Sequence, residues 1–270
     1  MNRIKAAIFD VDGTLFDYKE RKIPESTVAA VRKLKDRGIL VIVASARAYP
    51  ELSRDLLEKI DADYYVGSGG HSIQDRFGNP LSAVRFTREQ VERLVEMAET
   101  YDAGLTLKYP DRTCLYRHPE RMYAIFSNIG EPRCPSVVCR SMDAHREELP
   151  VGFTVCAVGA PREQLEAAFS ACPGDFRLEL FGNGFVADVY APGVNKMTAL
   201  RELTRRLGLL PENCIAFGDG HNDLEMIRWA GIGVAMGNGR EELKSAADLV
   251  CGATWEDGIA RCLSELALTE

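Results

Sequence analysis

Two carboxylates stand two residues apart, at Asp10 and Asp12, directly after the short apolar run Ala6–Phe9 and directly before Gly13. An ionisable group at the exit of a buried strand is costly unless it finds a partner. Two of them there point to a cation, a reacting phosphate, or both, although Asp-Gly is also an ordinary turn signal. Further polar groups follow other apolar runs. Ser45 comes after Ile39–Ala44, a glycine cluster at Gly67–Gly70 after Tyr64–Val66, and Asp219, Asn222 and Asp223 after Cys214–Phe217. Asp10, Asp219 and Asp223 offer hard oxygen ligands of the kind Mg²⁺ takes. Crowded together without a cation, they would repel one another. Ser45 offers a hydroxyl to a phosphate oxygen. Lys196 lies near the start of a predicted helix, where the helix dipole also favours an anion.

These groups are useful only if the chain brings them together. The runs at Ala6–Phe9, Ile39–Ala44, Tyr64–Val66, Cys214–Phe217 and Ile232–Ala235 read as buried strands, because strands covered on both faces are near-continuously apolar. Helical stripes separate them at Pro24–Arg37, Pro50–Ile60, Asn195–Leu207, Asp223–Ala230 and Glu256–Leu266. Alternating strand and helix predicts an α/β fold, a Rossmann-like doubly wound parallel sheet. Right-handed crossovers set its strand ends side by side, and ligands bind at that carboxyl edge. The middle of the chain reads differently. A Thr87/Gln90 capping box opens a helix, and short strands follow at Leu105–Lys108, Cys114–Arg117, Val151–Val158, Arg177–Leu180 and Phe185–Tyr190. Residues 83–186 therefore read as an inserted α+β domain in a core made of 1–82 and 187–270, with turn-rich linkers at Gln74–Pro80 and Ala191–Val194.

Composition narrows the function. The chain of 270 residues carries a net charge of −7 with no basic run, which argues against nucleic acid and against an anionic membrane surface. No apolar stretch approaches the ~18 residues of a spanning helix, and Ala6–Phe9 is too short for a signal-peptide core, so the expected location is cytoplasmic. The eight cysteines form no CxxC pair and no zinc spacing, and they read as small buried hydrophobes in a reducing compartment.

Taken together, Asp10-Val11-Asp12-Gly13-Thr14, Ser45 after Ile42-Val43-Ala44, Lys196 in Gly193-Val194-Asn195-Lys196, and Gly218-Asp219-Gly220-His221-Asn222-Asp223 resemble the four motifs of the haloacid dehalogenase superfamily of phosphotransferases. The run Gly231–Asn238 and an insert of that size between the second and third motifs are similar to its Cof-type subfamily, in which the insert is a cap. The resemblance implies Asp10 as nucleophile, forming an aspartyl-phosphate, and Asp12 as acid to the leaving alcohol and then base to water. It implies Mg²⁺ held by Asp10, the backbone carbonyl of Asp12, Asp219 and Asp223. It implies phosphate contacts from Ser45, Lys196, Asn222 and Arg47. Two positions depart from the subfamily pattern: Ser45-Ala46-Arg47 where Thr-Gly-Arg is frequent, and Gly69-Gly70 where Asn-Gly is common.

The expected protein is a Mg²⁺-dependent phosphohydrolase of a small phosphorylated metabolite, a sugar phosphate or cofactor phosphate, acting as a monomer or homodimer. A phosphosugar mutase and a non-catalytic phosphate-binding module are the alternatives. Candidates for contacts from the cap are Lys108, Tyr109, Arg112, Arg117, Arg121, Phe181, Asn183 and Phe185. His221 reads as part of a loop.

Overall fold

The computed structural model describes residues 4–128, 137–139, 141, 143–158, 161–172, 174–180 and 186–269. Its first sheet contains β1 (Ala6–Phe9), β2 (Leu40–Ala44), β3 (Tyr64–Gly67), β4 (Ser72–Asp75) and β5 (Pro80–Ala83). After the middle of the chain it is completed by β12 (Cys214–Gly218), β13 (Ile232–Ala235) and β14 (Leu249–Val250). The strand order is β14-β13-β12-β1-β2-β3-β4-β5. From β14 to β3 every pairing is parallel.

The residue pattern explains why β1 and β2 lie at the centre. Ala7, Phe9, Val41 and Val43 pack on one face, with Val28, Val31 and Leu34 of helix Glu25–Asp36 and with Ile259 and Leu263 of helix Gly258–Glu265. Ala6, Ile8, Ile42 and Ala44 pack on the other, with Leu200, Leu203 and Met226 from helices Lys196–Arg206 and Leu224–Trp229. Both faces exclude water, so a polar residue has no place within these strands. Phe9 and Phe217, opposite each other in register, stack at 5.1 Å and align the ends of β1 and β12.

Two readings are corrected here. Helix Pro50–Ile60 is broken into a single 3₁₀ turn at Tyr49–Glu51 and an α-helix at Arg54–Ile60. Leu52 between them is extended, and the Ser53 hydroxyl accepts from Leu56 N at 3.0 Å, an N-cap that starts a new helix. The supposed linker Gln74–Pro80 is the turn of a hairpin whose arms, β4 and β5, extend the sheet antiparallel. Asp75 closes that turn by accepting from the backbones of Phe77 and Asn79, each at 2.9 Å. Strands this short, one of them largely exposed, show no apolar period.

The second sheet comprises β6 (Gly104–Lys108), β7 (Thr113–Arg117), β8 (Val137–Val138), β9 (Gly152–Cys156), β10 (Arg177–Leu180) and β11 (Val186–Tyr190), in the order β10-β11-β9-β6-β7-β8. Its pairs are antiparallel except β7 with β8. Strand alternation splits it into two unlike faces. Leu105, Leu107, Phe153, Val155, Ala187 and Val189 pack under helices Arg88–Thr100 and Arg162–Ser170. Thr106, Lys108, Thr154, Asp188 and Tyr190 occupy the opposite face. The capping box is present: Thr87 Oγ1 accepts from Gln90 N, and Gln90 Oε1 accepts from Thr87 N. The tip Gly182-Asn183-Gly184, with Phe181 and Phe185, lies outside the described residues. So does Cys134; the other seven cysteines are free thiols, four of them buried.

The chain passes between the sheets twice, after β5 and after β11, and one imidazole holds both passages. His71 Nδ1 lies 2.7 Å from Val84 O, and Ala191 N donates to His71 Nε2 at 3.0 Å. Only the neutral Nδ1–H tautomer satisfies both contacts. The ring is stacked against Phe86 at 5.1 Å. Burial pushes its pKa down to about 4, against about 6.5 in an unfolded chain. Between these values the unfolded chain binds the proton and the folded one does not, so stability falls as pH falls through this window. We expect His71 to contribute a loss of roughly 3 kcal/mol between pH 7 and pH 4. Denaturant unfolding of wild type and His71→Gln at both pH values checks this: the variant loses less.

Candidate active site

Three strand ends on the first sheet deliver the acidic residues and Ser45 to one edge. β1 runs into Asp10, β12 into Asp219, and β2 into Ser45. Gly13 turns the chain immediately after the first motif with φ of +88°, and a Cβ there would lie 2.4 Å from Asp219 Oδ2. Glycine is therefore required both by the backbone and by the approach of the two loops. Asn238 fixes the same turn: its Nδ2 donates to Gly13 O at 2.7 Å, and its Oδ1 accepts from Thr254 N at 3.0 Å.

Asp10, Asp219 and Asp223 each place a carboxylate oxygen within 4.8 Å of the others. Lys196 lies among them, with Nζ 2.5 Å from Asp10 Oδ1 and 2.7 Å from Asp223 Oδ1. Its position follows from local structure. Asn195 caps helix Lys196–Arg206 by accepting from Thr198 N at 2.8 Å, so the first helical residue points into the cluster. Burial, then Asp223, raise the Asp10 pKa well above the usual carboxylate range. The same two causes lift Asp219 to about 7. Burial works against the Lys196 charge, but Asp10 and Asp223 outweigh it and raise its pKa. One ammonium does not balance three carboxylates, and an all-oxygen donor set of this size suits a hard divalent cation. Asp223 is also structural: its Oδ2 accepts from Asp219 N at 3.1 Å and Gly220 N at 3.0 Å.

Ser45 is buried, and its Oγ accepts from Arg47 N at 3.1 Å, which leaves its own proton to donate elsewhere. Asp12 is not one of the three clustered carboxylates. Arg47 grips it, Nε to Oδ2 at 2.9 Å and Nη2 to Oδ1 at 2.5 Å, and the Tyr18 hydroxyl donates to Oδ1 at 2.6 Å. Arg47, read from the sequence as a phosphate contact, is thus a buried partner of Asp12. Asn222 and Lys196 line a cleft of about 160 Å³, with Gly69, Asn195, His221 and Glu225. The cleft is also lined by Arg177 and Glu179 of β10.

Most sequence candidates from the middle of the chain are occupied elsewhere. Lys108 is buried against Asp188 at 2.7 Å and Glu51 at 3.5 Å. Arg112 pairs with Glu148 at 2.6 Å, Arg117 lies 3.6–3.7 Å from Asp102 and Glu99, and the Tyr109 hydroxyl donates to Glu148 O at 3.3 Å. Arg121 does not line the cleft. Sequence reasoning missed Arg177 and Glu179, although the alternation Arg177-Leu178-Glu179-Leu180 sets both on one face of a strand. It also missed Tyr18 and Glu51, for which no local pattern gives a signal. The bare Gly69 has a steric cause: with φ of +60°, a Cβ there would lie 2.4 Å from the Tyr190 ring. His221, read from the sequence as part of a loop, lies in the short turn His221–Asp223, contacts the exposed Glu242 at 3.1 Å and lines the cleft.

Residues 7–263 match the family model of haloacid dehalogenase-like hydrolases. The protein YkrA of Bacillus subtilis (strain 168) is 30% identical over 270 residues, with 98% of each chain covered. The 5-amino-6-(5-phospho-D-ribitylamino)uracil phosphatase YitU of the same organism is 29% identical over 95% of each chain. The solved structure of a sugar phosphatase of haloacid dehalogenase subclass IIB superposes with a TM-score of 0.83 at 25% identity, covering 98% of this chain and 99% of the other.

Replacing Lys196 by Met leaves Asp10 and Asp223 buried without their cation. Breaking one side of such a cluster costs about 3–5 kcal/mol. Denaturant unfolding in the presence of chelator checks this, with Lys196→Arg, which keeps the charge, expected to lose less.

Proposed function

Because the chain belongs to the haloacid dehalogenase-like hydrolase family and is a Cof-type phosphatase, we propose that it removes phosphate from a small phosphorylated metabolite, of the sugar-phosphate or cofactor-phosphate class, with the help of Mg²⁺. The observation that carries this reading is the set of three mutually close carboxylates around Lys196, beside Ser45 at the strand-end edge. Bound by Asp10, Asp219, Asp223 and the backbone carbonyl of Asp12, Mg²⁺ supplies the positive charge that offsets the carboxylates and the phosphoryl oxygens.

The residues divide the chemistry between them. An Asp10 carboxylate oxygen forms a bond to phosphorus as the ester P–O bond breaks, and the Asp12 carboxyl gives its proton to the departing oxygen. Asp12, now a carboxylate, takes a proton from water. The water oxygen then bonds to phosphorus and the Asp10–phosphorus bond breaks, releasing inorganic phosphate. The Ser45 hydroxyl and the Lys196 ammonium hold phosphoryl oxygens through both steps. Lys196 also fixes one oxygen of Asp10. Asn222, half-buried on the cleft wall, contacts the substrate. Residues 83–186 act as a cap, and their contribution to the cleft, Arg177 and Glu179, faces the leaving group. Relatives named as phosphatases of phosphoglycolate and of a ribitylaminouracil phosphate support a small substrate.

The test is phosphate release from a panel of phosphorylated metabolites and p-nitrophenyl phosphate, with Mg²⁺, with chelator, and with Asp10→Asn. Release is expected to need both metal and Asp10, with the variant at least about 10³-fold slower. An Asp10→Asn protein with wild-type turnover overturns the covalent route, and isomerised sugar phosphate without free phosphate identifies a mutase.

A further inference from the structure

We propose that Tyr18 is a positioning residue for Asp12, holding its carboxyl toward the leaving-group oxygen. The inference rests on the reading of Asp12 as acid and base. Two groups from different elements grip Asp12. Arg47 reaches it from the buried exit of β2 with a two-pronged contact, and Tyr18 from the turn that follows the first motif, donating at 2.6 Å. Tyr18 is half exposed, whereas the guanidinium is buried.

The turn carrying Tyr18 is itself braced. Phe16 is buried and meets the Tyr18 ring edge-on at 5.6 Å. Asp17 is buried and accepts from Lys19 N at 2.8 Å, and the Asp17 and Lys22 backbones bridge across the turn. The Lys19 ammonium lies 3.2 Å from the centroid of the Trp255 ring, on the far end of the chain. A hydroxyl presented from such a turn has little freedom to leave its acceptor.

The consequence for the reaction is directional. When the Asp12 carboxyl gives its proton to the ester oxygen, the carboxylate left behind is met at once by two N–H donors and one O–H donor, already in place. Deleting the hydroxyl removes one of these donors without removing the acid. The loss therefore depends on how much the leaving group needs a proton. An alkoxide needs it, and p-nitrophenolate departs without it. The ratio kcat/KM reports only the steps up to the first irreversible one, so it isolates the acid role from the later base role.

The experiment compares wild type, Tyr18→Phe and Asp12→Asn on the best alkyl phosphate of the panel and on p-nitrophenyl phosphate. Tyr18→Phe keeps the ring and its contact with Phe16. Its kcat/KM is expected to fall about tenfold on the alkyl phosphate and to stay within about twofold on the aryl phosphate. Asp12→Asn is expected to change the alkyl-to-aryl ratio further in the same direction. An unchanged ratio in Tyr18→Phe, with a changed one in Asp12→Asn, overturns the role of Tyr18 alone. An equal loss on both substrates makes Tyr18 a wall of the cleft and also overturns it. An unchanged ratio in both variants overturns the acid role of Asp12, and with it the role of Tyr18.

Discussion

The ammonium of Lys196 is the charge on which the edge of the first sheet depends. Two of its nearest acceptors belong to different loops, Asp10 after β1 and Asp223 before helix Leu224–Trp229, and the third motif supplies the cation itself. Three segments far apart in sequence are thus joined at one nitrogen. Burial opposes each of these charges singly, and only their mutual attraction makes the arrangement tolerable. The neighbouring structure serves that contact. Asn195 starts the helix one residue earlier, Gly13 lets Asp219 come close, and Asp223 spends its second oxygen on the backbone of Asp219 and Gly220.

Asp12, two residues along from Asp10, has a different environment. Asp10 is enclosed with two other carboxylates and an ammonium, whereas Asp12 is a quarter exposed and held by a guanidinium and a phenol. Two identical side chains separated by one residue thus meet different partners. In the proposed mechanism, that difference in environment lets one carboxylate act on phosphorus while the other acts on protons.

Much of the catalytic core was legible in the sequence because burial on both faces leaves a strong mark. β1, β2 and β12 are four- and five-residue apolar runs, and a polar residue at each exit is conspicuous against them. Asp10, Ser45 and Asp219 were visible for that reason, and the structure brings them to one edge. The hairpin β4–β5 was not legible, since its turn residues are those of any linker and β5 is mostly exposed. Helix Pro50–Ile60 was misjudged because its apolar residues keep helical spacing across an extended Leu52. Arg47 was visible as a charge, but its partner was not: a pairing between positions 12 and 47 arises from the crossover and leaves no periodic trace. The polar face of the second sheet was present in the alternation of Thr106 with Lys108, and of Asp188 with Tyr190. Those strands were read for their apolar face only.

Glu51 occupies the seam between the two sheets. It accepts from Ala48 N at 2.9 Å and from Thr113 Oγ1 at 3.2 Å, and it lies 3.5 Å from Lys108. The tighter contact of Lys108, at 2.7 Å, is with Asp188 in its own sheet, and Asp188 also accepts from Thr154 at 2.6 Å. Of the two Lys108 contacts, the one that crosses the seam is the longer. Were the halves drawn apart, the ammonium would leave with its nearer carboxylate, and Glu51 would stay behind on its own backbone amide. The ammonium would stay paired, while Glu51 would give up the Thr113 hydroxyl and the Lys108 charge together. Along this seam the tightest ion pair of Lys108 stays within one bank, and the weaker one reaches across.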